Sequence, residues 1–345
     1  MADAHGRRRR VVLPWPVRLR LCALEAAIDV TQRRDGSVNR FLFSLFDRRT
    51  PADDRPDTIG VSSTDITVDA SRGLWARVFT PPVAEHSSSP TPRPVIVYFH
   101  GGGFQLFSAA TRTYDTLCRT LSGVVGAVVV SVNYRLAPEH RFPAAYDDGE
   151  AVLRYLATTC LPDHVVPVDI STCFIAGDSA GGNIAHHVAQ RWTATTPPSD
   201  NTVHLAGVIL VQPCFSGEER TKAERALDGV APVLNIRRSD LSWKAFLPEG
   251  ADRNHPAAHV TGDDALSEVF PPAMVVVGGL DPLQDWDRRY ASMLRLKGKP
   301  VRVVEFPEAI HAFYFFPELA DDSRKLVDEI RAFVEESITS KQSYA

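Results

Sequence analysis

Ser179 sits in Gly177-Asp178-Ser179-Ala180-Gly181-Gly182-Asn183, directly after the apolar run 173–176 and before a helical run over 184–190. A serine with glycines two residues to either side, between a strand and a helix, is the pattern of a nucleophile elbow. Glycine permits the tight turn, and the turn lifts the hydroxyl above the sheet edge. The helix that follows aims its N-terminus, led by the Ala180 amide, at the place where negative charge would develop. A second glycine loop, His100-Gly101-Gly102-Gly103-Phe104, follows the strand-like run 95–99. Its backbone can approach a substrate closely enough for amides to donate to a tetrahedral oxyanion. A phosphate-cradling reading lacks the Gly-Lys-Ser/Thr ending and the dinucleotide glycine spacing. His100, on the strand side of this loop, is expected to brace it.

If an acid and a base follow the serine in chain order, they belong near the last strand ends. Asp281 comes directly after the apolar run 273–277, in Gly278-Gly279-Leu280-Asp281-Pro282, where α/β sites assemble. Asp285 follows one helical turn later and reads as a cap or brace. Of eleven histidines, His311 is the one in the loop after the final apolar run. His186 and His187 are neighbours on the elbow helix and point different ways. His255 and His259 have metal-like spacing, but Pro256 between them disfavours a continuous helix. No zinc site or other metal is expected, and no cofactor is required.

These groups need a sheet to hold them. Apolar, β-branched runs at 61–68, 74–79, 95–99, 124–132, 173–176, 205–211, 273–277 and 301–306 alternate with helical stretches. That is the pattern of an α/β fold, with the first two runs as an antiparallel hairpin and the rest covered on both faces. The stretches 86–94 and 193–202 read as exposed loops. Residues 1–50 are not needed for the sheet; within them 17–46 carry apolar positions at helical spacing, broken by the Asp35-Gly36 turn. They are expected to form a lid. Residues 217–264, holding Trp243, Phe246 and Leu247, exceed what a crossover requires and are a candidate cap. The glycine loop, the serine, the acid and the histidine fall on one run of strands, so 51–340 should be a single domain.

Composition narrows the partners. The chain has 345 residues, 44% hydrophobic and 23% charged, with 38 basic against 42 acidic side chains for a net charge of −4. Nucleic-acid binding needs clustered cations; the one basic run, at 7–10, reads as a disordered end. No stretch approaches the roughly 18 apolar residues of a membrane helix, and Pro14 and Pro16 cut short any secretory leader. The five cysteines are dispersed, which fits a reducing compartment. The expected location is the cytoplasm, with the nucleus as a second address from the basic run.

Several stretches together carry a specific resemblance: Arg34-Asp35-Gly36-Ser37-Val38-Asn39-Arg40, His100 to Phe104, Asn133-Tyr134-Arg135-Leu136-Ala137-Pro138-Glu139-His140, Gly177 to Asn183, and Lys244-Ala245-Phe246-Leu247-Pro248-Glu249-Gly250. The chain resembles the plant carboxylesterase branch of the hormone-sensitive-lipase-like α/β-hydrolases, which also contains the gibberellin receptors. The resemblance implies an eight-stranded, mostly parallel sheet, an N-terminal lid, and a triad of Ser179, Asp281 and His311. It also implies an oxyanion hole from the Gly101 to Gly103 loop, best assigned to Gly102 and Gly103, together with Ala180. Gibberellin receptors of this branch have an aliphatic residue for the triad histidine and usually a serine in the oxyanion loop. Here His311 and Gly103 stand at those places.

The expected activity is hydrolysis of small uncharged carboxylic esters through an acyl-enzyme. Phe104, Asp178 and Tyr134 are the expected substrate contacts, with the lid and cap aromatics as pocket walls; Arg135 and Glu139 read as loop braces. The alternative is a hormone receptor or sequestering protein with little turnover, and a protein partner is expected only in that case.

Overall fold

The computed structural model describes residues 12–82, 91–195, 203–260 and 266–342. The basic run at 7–10, most of both expected loops and the last residues of the expected cap lie outside them. The eight expected strands form one sheet in the order β1-β2-β4-β3-β5-β6-β7-β8. They are β1 (Ser62–Asp69), β2 (Leu74–Thr80), β3 (Arg93–Phe99), β4 (Val128–Asn133), β5 (Val168–Asp178), β6 (Leu205–Val211), β7 (Ala273–Gly278) and β8 (Val301–Phe306). β1 and β2 form the expected hairpin, β2 pairs antiparallel with β4, and every later pairing is parallel.

Both faces are covered, which explains the near-continuous apolar strands. Val128, Val130 and Val132 of β4 join the core under α4 (Ala144–Thr158), α5 (Ala180–Thr195) and α8 (Gln284–Leu296), while Val129 joins the core under α3 (Arg112–Val125) and α9 (Ala320–Gln342). One expected boundary moves. The run read as a strand from 124 begins as the end of α3, because Gly126, at φ 71°, caps that helix in the left-handed region before the strand starts.

Two parts lie outside the sheet. The leader folds as α1 (Trp15–Thr31) and α2 (Arg40–Ser44), separated by a turn in which Asp35 accepts the Ser37 amide at 2.9 Å. Val17 and Leu21 of α1 join the core that holds Ile310 and Phe313, so the leader packs beside the last loop of the sheet. Between β6 and β7 the chain makes α6 (Lys222–Leu227), opened by a Thr221–Glu224 capping box, and α7 (Ile236–Phe246). Asp285 accepts the Ala223 amide at 2.9 Å and thereby holds α6. Arg135 forks onto the fully buried Asp148 at 2.7 to 3.0 Å, the bracing role its sequence suggested. Among the described residues no helix is long and apolar enough to cross a membrane.

Candidate active site

β5 ends at Asp178 and α5 starts at Ala180, leaving Ser179 alone in the turn with φ at 52°. A non-glycine residue in that region costs roughly 1–2 kcal/mol, and the surroundings hold it there. Its amide donates to the Val211 carbonyl at 2.9 Å, and its own carbonyl accepts from Cys214 at 2.8 Å. The flanking glycines are required by contact: a Cβ on Gly177 would lie 2.2 Å from the Gly181 oxygen, and one on Gly181 would lie 2.0 Å from the Phe99 oxygen.

The loop after β8 brings His311 to this turn. Its Nε2 lies 3.0 Å from Ser179 Oγ, and its Nδ1 lies 2.7 Å from Asp281 Oδ2. The other oxygen of Asp281 accepts the Leu283 amide at 2.9 Å. Gln212, after β6, clamps the histidine loop from both sides, accepting the Ala312 amide at 2.9 Å and donating to the Ile310 carbonyl at 3.1 Å. Burial alone would depress the His311 ring, but the charge and hydrogen bond of Asp281 raise it above its ordinary 6.5. A hydroxyl, an imidazole and a buried carboxylate in this chain of contacts can generate and return an alkoxide proton.

The other glycine loop is bound beneath this triplet. Asp178 is buried and accepts the phenols of Tyr98 at 2.8 Å, Tyr114 at 2.9 Å and Tyr314 at 2.9 Å, plus the Gly101 amide at 3.0 Å. Burial pushes its carboxyl above the usual value, against the opposing pull of those phenols. The Gly101 amide is therefore occupied, and it also reaches the Tyr114 hydroxyl at 2.8 Å. Gly101 drops out of the expected donor set for that reason. The amides of Gly102, Gly103 and Ala180 have no acceptor among the described residues, and Gly102 and Gly103 open on the same cavity as Ser179 and His311. His100 braces as expected, stacked on Tyr134 at 4.4 Å between ring centres.

That cavity holds about 350 Å³. Its walls are Leu24 and Ile28 of α1, Phe107, Val233 and Leu234, and Phe315 with Phe316. Two expected contacts are absent from it. Phe104, at φ 63°, turns its ring onto Phe246 (3.8 Å between centres) and Trp243, so these three aromatics form a core behind the cavity. Tyr134 spends its hydroxyl on the His100 carbonyl at 2.7 Å and is buried under the loop. Asp178 lines the cavity, but its carboxylate is committed to the phenols. His255 lies edge-on to Phe142, and His259 edge-on to Trp286, which separates that pair. The three tyrosines around Asp178 and the Gln212 clamp were missed in the sequence; the acid beside the nucleophile was their one signal.

A family model described as alpha/beta hydrolase fold matches residues 96–315. The chain belongs to that family. It is 41% identical to the gibberellin receptor GID1C of Arabidopsis thaliana, over 94% of this chain and 95% of the receptor. It is 35% identical to carboxylesterase 20 of the same plant, over 81% of this chain and 86% of that protein. Among solved structures, the hyperthermophilic esterase from the archaeon Pyrobaculum calidifontis superposes with a TM-score of 0.73 at 27% identity, covering 94% of this chain and 98% of the other. This carboxylesterase-type hydrolase thus has both receptors and esterases among its relatives.

Proposed function

We propose that the protein is a serine carboxylesterase working through an acyl-enzyme. The observation that carries this reading is the unbroken contact chain Ser179–His311–Asp281 opening on an apolar cavity. Ser179 Oγ attacks the ester carbonyl carbon while His311 Nε2 takes its proton. The tetrahedral oxyanion collapses, the alcohol leaves with that proton, and water repeats the sequence to free the acid. Asp281 keeps the ring in the tautomer that presents Nε2 to the serine. The amides of Gly102, Gly103 and Ala180 stabilise the oxyanion, a contribution of roughly 3 to 4 kcal/mol per donor in comparable sites. Residues 1–50 serve as lid and 217–264 as cap on a 51–340 hydrolase body. The substrates are small carboxylic esters whose reacting part fits an apolar cavity, and the cytoplasm is the working compartment.

Turnover of 4-nitrophenyl butyrate tests this directly. Ser179→Ala should lose about 10⁶-fold in kcat and His311→Ala a similar amount, because the members act as a unit; undiminished turnover in Ser179→Ala would sink the assignment. A second reading, a hormone-binding protein with little turnover, is favoured by the 41% identity to a gibberellin receptor. Labelling by a fluorophosphonate followed by mass mapping separates the two: modification at Ser179 supports the enzyme, and its absence supports the binding protein.

A further inference from the structure

Two arginines stand at the cavity mouth with no acid to face. A short antiparallel bridge pairs Arg49 with Thr111, and in its register the Arg112 amide donates to the Arg48 carbonyl at 2.8 Å. Arg48 and Arg112 therefore meet backbone to backbone, where the chain after α2 crosses the first residue of α3. Like charges on neighbouring residues repel unless an anion lies between them. Both residues are exposed and both line the cavity that holds Ser179 and His311.

The nearby acids are engaged elsewhere. Asp47 accepts Arg49 at 3.1 Å and the Thr111 hydroxyl at 2.7 Å. Glu318 takes Arg20 at 3.1 Å, and Asp115 takes Arg77 at 3.0 Å and Arg119 at 2.9 Å. Among the described residues no carboxylate pairs with Arg48 or Arg112. The cavity thus joins an apolar middle, a nucleophile inside and two uncompensated guanidinium groups at the rim.

We infer that Arg48 and Arg112 bind a carboxylate at the end of the ligand remote from the reacting carbonyl. A guanidinium pair suits this group, because each presents a planar fork of donors that a carboxylate matches with two oxygens. The substrate class becomes the half-ester of a dicarboxylic acid, or an ester with an acidic alcohol part, where the expected apolar pocket walls suggested an uncharged ester. The ester half of this statement rests on the esterase reading; the anion site does not.

The test compares two ligands on one protein sample, so any loss of folded fraction cancels. The ratio of kcat/KM for 4-nitrophenyl hydrogen glutarate over 4-nitrophenyl valerate should fall at least tenfold in Arg48→Gln/Arg112→Gln. It should recover most of that loss in Arg48→Lys/Arg112→Lys and shrink in wild type as sodium chloride rises from 0.05 to 0.5 M. The binding arm uses Ser179→Ala with 8-anilinonaphthalene-1-sulfonate against uncharged N-phenyl-1-naphthylamine; the affinity ratio should again fall tenfold on removing the two arginines. An unchanged ratio in both arms overturns the anion site, as does anion binding that persists without the arginines, which would place the charge in the amide pocket by Ser179. If neither ester turns over but the binding ratio shifts, the anion site stands and the esterase reading falls.

Discussion

At the scale of single residues, the chemistry depends on the charge state of His311. The ring must be neutral to accept the serine proton, and Asp281 raises its pKa above 6.5. As pH falls through that raised value the ring becomes protonated, so kcat/KM should drop tenfold per pH unit on the acid side, with the limb above pH 6.5. Asp281→Asn removes the raising charge and favours the wrong tautomer. Its rate should fall about 10⁴-fold, and the limb should move to lower pH in a profile from pH 5 to 9; a limb that stays in place would dissociate Asp281 from the base. The three residues proposed to react were legible as neighbours because a serine, an acid and a histidine at strand ends announce themselves by type and by position. Phe104 was misread because its left-handed backbone, which no side-chain type signals in a non-glycine residue, swings the ring away from the cavity. Gly101 was misread because its amide is captured by Asp178 and Tyr114, from elements far along the chain.

At the scale of elements, ion pairs tie the leader to α7 and to the loop after β4. Arg238 of α7 reaches Asp29 at 2.8 Å and Glu25 at 3.1 Å on α1, and Glu25 also accepts the Val233 amide at 2.9 Å. Arg40 donates to the Ala137 carbonyl at 2.6 Å and forks onto Glu139. Arg238 is nearly buried while Asp29 is half exposed, so truncating the arginine leaves one solvated acid and one poorly solvated one. Arg238→Ala should speed amide exchange across α1 about tenfold, the equivalent of about 1.4 kcal/mol of opening free energy. Exchange mass spectrometry with α9 as internal reference checks this; equal rates in α1 would mean that the apolar contacts of Val17 and Leu21 suffice. The helical spacing of the leader disclosed that α1 exists and which side is apolar. It did not disclose Arg238, because an ion pair across some two hundred residues leaves no local pattern.

For the whole molecule, buried titratable groups pull stability in opposite directions across the acid range. Burial lowers His100 and His187 to about 4 and His186 well below its ordinary value. Their contribution is present above pH 6.5 and is lost as pH falls towards 4. Asp287 is fully buried, neither of its oxygens has a partner among the described residues, and burial with the nearby Asp281 charge raises it well above 3.8. Its contribution is present below 3.8 and is lost as pH rises through the raised value. Asp287→Asn should therefore leave Tm unchanged near pH 4 and raise it increasingly towards pH 7.5, by up to about 1.4 kcal/mol of stability per pH unit in between; a gain independent of pH would contradict this. The elbow and the base also differ in how they are secured. Glycines 177 and 181 are locked by backbone against backbone, so replacing either disturbs the sheet itself. The imidazole is an end group, meeting the serine and the acid through its two ring nitrogens alone, on a loop that Gln212 pins through its peptides. A mutation at 311 can therefore break the contact chain while the cavity keeps its shape. The proposed reaction thus hangs on one replaceable end group, whereas the cavity beside it is walled at once by the leader, the β6–β7 insertion and the loops of the sheet.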